Sequence, residues 1–180
     1  VGNFGFDLDA ELARRGPESV VADHPVTNLV RVDPDGSVHL AAPEMRFPNG
    51  SVVTPDGRTL IVAETLGLRL TAFDIGADGE LANRRVWAEV GMRAPDGICQ
   101  DVDGNIWVAN ALAPECVLFA PGGAVLQVVA TSQNCYACAL GGEDGRDLFL
   151  LTAASSHHAA AAAERGGRIE TTRVAAPGAP

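Results

Sequence analysis

The sequence predicts an all-β fold assembled from repeated four-stranded antiparallel sheets, and three observations carry that prediction. First, "PNGSVVTPDGRTLIVAET" (Pro48 to Thr65) recurs 47 residues later as "PDGICQDVDGNIWVAN" (Pro95 to Asn110). A third copy, "CYACALGGEDGRDLFLLTA" (Cys135 to Ala153), follows after a further 40 to 42. Second, each copy keeps one order: a short run, an Asp-Gly turn, then an apolar run ending in Ala ("LIVA", "IWVA", "LFLLTA"). Short β-branched or aromatic runs around Asp-Gly are hairpin signals, because Gly accepts positive φ. Third, no 3.6-residue periodicity stands out, apart from a weak one in Ala159 to Arg165. Four strands in roughly 40 to 47 residues is the period of a propeller blade, not of a helical solenoid.

The elements follow in order. "VGNFG" reads as the second strand of a blade whose first strand is missing. The charged insertion "DLDAELARRGPESVVAD" (Asp7 to Asp23) interrupts it, and is expected to form a loop or lid at one mouth of the channel. "NLVRVDP" and "SVHLAA" complete that blade across the Asp35-Gly36 turn. Full blades begin at Pro48 and Pro95. The last blade has "CYACALG", "LFLLTA" and "GRIETTRV", and the chain ends at "PGAP" before a fourth strand. Its insertion "SSHHAAAAAERG" (Ser155 to Gly166) sits at the blade position of the first one, so both should lie on the same face. Residues 1–180 thus read as one domain, an N-terminally incomplete set of about three and a half blades. That is fewer than the four to eight of a closed ring, so the chain reads as the C-terminal part of a larger one. Its open sheet edges invite self-association.

Composition narrows the partners. Thirteen Lys and Arg stand against 23 Asp and Glu, a formal charge of −10, which argues against nucleic acid and anionic membrane surfaces. No stretch reaches the ~18 to 20 apolar residues that span a bilayer. "CYAC" has neither a second Cys pair for zinc nor a βαβ context, so the four Cys residues read as buried, reduced thiols of a cytoplasmic protein.

The turns Asp56-Gly57, Asp78-Gly79 and Asp103-Gly104 are explained by hairpin geometry alone. Asn49 and Asp96 differ, since each opens the innermost strand of its blade, where successive blades converge on the axis. An amide oxygen and a carboxylate are hard donors suited to a calcium- or magnesium-like cation. Equally, both residues could make Asx turns between a Pro and a Gly. The residues alone leave both readings open. Other candidates carry less. Adjacent His157 and His158 point apart, and His24 and His39 have no partner in sequence. Ser155-Ser156 lacks a Gly-x-Ser-x-Gly context. Trp87 and Trp107 read as core, while Glu64 and Asn110 read as bystanders at the channel mouth.

Together, "RFPNGSVVTPDGRTLIVAET", "APDGICQDVDGNIWVA" and "CYACALGGEDGRDLFLLT", with "VGNFGFD" and "GRIE", resemble the gluconolactonase/regucalcin (senescence marker protein) family along essentially the whole chain. The resemblance implies a six-bladed β-propeller holding one divalent cation on its axis, calcium first, with zinc, manganese or magnesium as alternatives. It implies hydrolysis of sugar or related lactones. In such proteins a Glu, the Asn of Pro-Asn-Gly and the Asp of Pro-Asp-Gly hold the metal. Asn49 and Asp96 match the last two, and the Glu has no counterpart in this sequence. The resemblance further implies a substrate contact at Asp7, with Asn3 beside it lining the mouth, and either a role for Asp96 in deprotonating the attacking water or a metal-bound hydroxide as the nucleophile.

Two readings of function result. One is a metal-dependent lactone hydrolase acting on a small-molecule substrate, impaired in this chain because part of its ligand set is absent; related propellers extend the substrate class to organophosphates. The other is a non-catalytic propeller module that binds a cation or a partner.

Overall fold

A computed structural model describes residues 3–180. Helix α1 (Leu8–Ala22) precedes a two-stranded antiparallel sheet, β1 (Thr27–Val32) and β2 (Val38–Met45). A four-stranded sheet follows, β3 (Pro48–Val53), β4 (Thr59–Glu64), β5 (Arg69–Ile75) and β6 (Leu81–Glu89), paired in chain order. The next repeats it with β7 (Pro95–Gln100), β8 (Ile106–Asn110), β9 (Glu115–Phe119) and β10 (Val125–Ala130). The last sheet holds β11 (Asn134–Gly141), β12 (Asp147–Ala153) and β13 (Arg168–Arg173), with helix α2 (His158–Glu164) between the last two strands. Strand β7 packs against β3 on one side and β11 on the other, so successive sheets are propeller blades meeting at their first strands.

Apolar side chains fill the spaces between blades. Ile61, Leu70, Ile98, Ile106, Val108 and Phe119 join the two four-stranded blades. Trp107, Cys138, Leu148 and Leu150 join the second of these to the last. Trp107 is therefore core, and Trp87 packs at the edge of the neighbouring cluster. Strands such as β8, "IWVAN", are buried at every position because blades cover both faces, so they read as unbroken apolar runs. Outer strand β10 is exposed almost throughout.

Gly50 and Gly97 permit this packing by size, not by φ. A Cβ on Gly50 would overlap the Asp96 carbonyl oxygen, and one on Gly97 would lie 2.7 Å from the Ala137 Cα. Both obstacles are backbone of the next blade, so a methyl there forces the blades apart. Gly97→Ala is expected to cost about 1–3 kcal/mol in urea unfolding. A cost under about 0.5 kcal/mol would show that the blades can slide to accommodate it.

A polar device recurs in the three larger blades. Glu64 accepts the Arg46 N–H (2.7 Å), Asn110 Oδ1 accepts the Ala94 N–H (3.2 Å), and Glu170 accepts the Ser132 N–H (3.1 Å). Each bond ties the segment entering an innermost strand to the body of its blade. Glu64 and Asn110 are 0% and 3% exposed, so they are structural hubs inside the blades and do not face the channel mouth.

Two expectations are corrected. Val1 and Gly2 of "VGNFG" lie outside the described residues, and Asn3 to Gly5 form no strand. Gly5 turns at φ +80°, which ends any extended run there, and Asn3 instead bonds by its side chain to the Asn28 carbonyl (3.0 Å) and to the Thr27 hydroxyl. The first insertion is helical rather than a loop. Asp7 caps α1 by accepting the Ala10 N–H (3.0 Å), and Glu11 pairs with Arg14 (2.7 Å) and Arg15 (2.8 Å). The helix is kinked where Gly16, at φ 77°, precedes Pro17.

Candidate functional site

In all three repeats the ladder between the first and second strands slips at one place: between Pro48 and Ser51, Pro95 and Ile98, and Cys135 and Ala137. Such bulges re-aim a side chain out of the sheet's alternation. Here they bring Asn49, Asp96 and Tyr136 to one cavity of about 420 Å³. Tyr136 was not singled out from sequence. It lies 40 residues after Asp96, in register with it, but "CYA" carries neither the Pro nor the Gly that marks the other two.

Hydrogen bonds link the blades at this point. The Asn49 amide donates to Thr65 Oγ1 (3.2 Å), and that hydroxyl donates to the Pro95 carbonyl (2.7 Å). Thr65 is thus a buried bridge from one innermost strand to the next, a role with no local sequence signal. Asp96 has no basic partner among the described residues' ion pairs. Burial pushes its carboxyl up to about 6, and the hydrogen bond from Asn49 only partly opposes this.

A half-buried carboxylate without a cationic partner, beside an amide, fits a hard divalent cation. Asn49 and Asp96 are the residues that would hold it. No three His, Cys, Asp or Glu side chains converge as a metal cluster among the described residues. Calcium takes about six to eight oxygen ligands, so these two side chains supply a minority of a full shell.

Asn3 and Asp7 are not brought to this cavity. Asn3 is tied to β1, while Asp7 caps α1 and lines a separate groove with Glu11, Arg15 and His24. Helix α1 itself borders the cavity through Leu8, Leu12, Val20 and Val21, and Ser156 of the second insertion borders it too. The two insertions therefore share a face, as the repeat predicts. His157 and His158 are exposed. All four cysteines are free thiols; the Sγ atoms of Cys99 and Cys138 approach to 3.7 Å, and this contact, with burial, pushes the Cys99 thiol far up.

The zebrafish (Danio rerio) regucalcin is 29% identical over 130 residues, covering 69% of this chain and 44% of that protein. The diisopropyl-fluorophosphatase of Loligo vulgaris is 35% identical over 133 residues, covering 66% of this chain and 42% of its own length. The chain thus spans less than half the length of these relatives. A solved gluconolactonase from Xanthomonas campestris superposes with a TM-score of 0.61 at 31% identity, over 71% of this chain and 42% of that one. Residues 10–154 match the family described as the SMP-30/Gluconolactonase/LRE-like region, and the chain belongs to that family.

Proposed function

We propose that the chain carries part of the active site of a divalent-metal-dependent hydrolase of lactones. The observation behind this reading is the convergence of Asn49 and Asp96, from equivalent bulges of adjacent blades, on one cavity in this family's fold. A bound cation would supply Lewis-acid stabilisation of the oxyanion that forms as a lactone carbonyl is attacked. Asp96 accepts the proton of the attacking water, being ionised above about pH 6 in the metal-free protein, and returns it to the ring oxygen as the acyl C–O bond breaks. Asn49 holds the Asp96 carboxylate in place, and Thr65 fixes Asn49. The apolar face of α1 walls one side of the cavity.

The test is opening of δ-valerolactone with EDTA and with added calcium, zinc or manganese. Activity should vanish in EDTA and return with one of the ions. Turnover indifferent to EDTA would overturn the metal assignment, and cation binding without turnover would leave a non-catalytic module. With two side-chain donors, calcium is expected to bind this chain weakly in calorimetry, with a Kd on the order of 10⁻⁴–10⁻³ M. A submicromolar Kd would mean that a fuller ligand shell forms. The squid relative's name adds organophosphates as a second substrate class, favoured by its 35% identity.

A further inference from the structure

We propose that the cavity selects lactones bearing an apolar substituent over polyhydroxylated sugar lactones; this rests on the hydrolase reading above. The cavity, about 420 Å³, is in the ordinary range for small-molecule sites, roughly 300–1,000 Å³. Its polar groups are gathered where the innermost strands meet, at Asn49, Asp96 and Tyr136. Apart from the hydroxyls of Thr65 and Ser156, the rest of the wall is apolar, chiefly Leu8, Leu12, Val20, Phe47, Leu68 and Leu112. Helix α1 explains this division. Its i, i+4 pair Leu8 and Leu12 turns to the cavity, while Glu11, Arg14 and Arg15 satisfy one another elsewhere. Val20, past the kink, is fully buried. Of these two hydroxyls, that of Thr65 already bridges Asn49 and the Pro95 carbonyl, and that of Ser156 belongs to the second insertion. A sugar lactone would bring several hydroxyls against this wall and leave most of them unpaired, which disfavours binding. An alkyl chain instead gains from burial, about fourfold in affinity per methylene.

The experiment compares kcat/KM for δ-valerolactone, δ-octalactone, δ-decalactone and glucono-δ-lactone at saturating calcium or manganese. In parallel, binding of 6-pentylpiperidin-2-one, the lactam counterpart of δ-decalactone, is followed by calorimetry against the unsubstituted lactam. The expected result is a preference of about 30-fold or more for δ-decalactone over δ-valerolactone, with glucono-δ-lactone poorest, and tighter binding of the pentyl lactam. Leu12→Asn should narrow the decalactone-to-valerolactone ratio to below about fivefold. A flat response to chain length, or glucono-δ-lactone as the best substrate, overturns the proposal while leaving lactone hydrolysis intact. Chain-length-dependent lactam binding with no lactone opened under any cation leaves the apolar cavity standing and removes the hydrolase reading. Neither binding nor turnover overturns both.

Discussion

Asp96→Asn is expected to lower cation-dependent lactone hydrolysis by a factor of about 10²–10⁴, because the proposed mechanism makes this carboxylate the positioned proton acceptor and the substitution replaces it with a neutral amide of the same shape. The substitution also reports on what the carboxylate is for. In the metal-free protein, burial raises the Asp96 carboxyl from 3.8 to about 6. The folded state therefore binds a proton more tightly than the unfolded state does. That contribution to stability is fully present below about pH 4 and is lost as pH rises through about 6. At pH 7.5 the ionised group works against the fold, by about 1–2 kcal/mol once its partial exposure to solvent is allowed for. In EDTA, Asp96→Asn should therefore be more stable than the parent at pH 7.5 and nearly equal to it at pH 4. Adding calcium should stabilise the parent alone. A carboxylate kept for structure behaves oppositely, since its loss destabilises at neutral pH. Urea melts at the two pH values, beside the hydrolysis assay, decide the matter. A less than tenfold loss of activity, or a destabilised variant whose activity falls only with its folded fraction, removes Asp96 from the chemistry.

The repeat was legible because each blade is marked by residues whose local physics is nearly independent of context. Asp-Gly needs a turn, and runs such as "LIVA" need burial on both faces. Pro48-Asn49-Gly50 and Pro95-Asp96-Gly97 were legible for the same reason, although their glycines do different work from that of the turn glycines: they admit the neighbouring blade. Tyr136 occupies the same bulge with neither flanking signal, so only the repeat register could have found it. Helix α1 escaped because Gly16-Pro17 divides its apolar pattern into two segments, each too short to establish a period. The Thr65 bridge and the Glu64 hub depend on contacts across 16 to 30 residues, two of them to backbone groups that carry no side-chain signature. Such contacts become visible only when the strands are placed.

Glu64→Ala is expected to be the most destabilising single change, at about 3–5 kcal/mol. The carboxylate is wholly buried, and it accepts the Arg46 N–H (2.7 Å), the Arg69 Nε–H (2.9 Å), a hydroxyl from Thr71 and a longer contact from Arg84 (3.4 Å). Burial alone would raise its pKa, but the bonds from Arg69, Thr71 and Arg46 outweigh it and hold the group below the ordinary carboxylate value. Its contribution is thus present above the unfolded value of 4.5 and is lost as pH falls through the folded one. Removing it leaves the Arg46 N–H, the Thr71 hydroxyl and the Arg69 guanidinium without this acceptor, while Arg84 keeps the Pro43 and Glu44 carbonyls, in a domain whose total stability is on the order of 5–15 kcal/mol. The damage also reaches the site. Arg46 leads directly into Phe47, Pro48 and Asn49, and Thr65 follows Glu64 in sequence, so both supports of Asn49 loosen together. Asp74→Ala is the control, because that carboxylate pairs with Arg85 at 2.7 Å on the surface, where such a pair contributes roughly 0–1 kcal/mol. Urea midpoints at pH 7 should separate the two variants clearly. If Glu64→Ala shifts the midpoint no more than Asp74→Ala does, the hub is dispensable and the blade tops are held by packing alone.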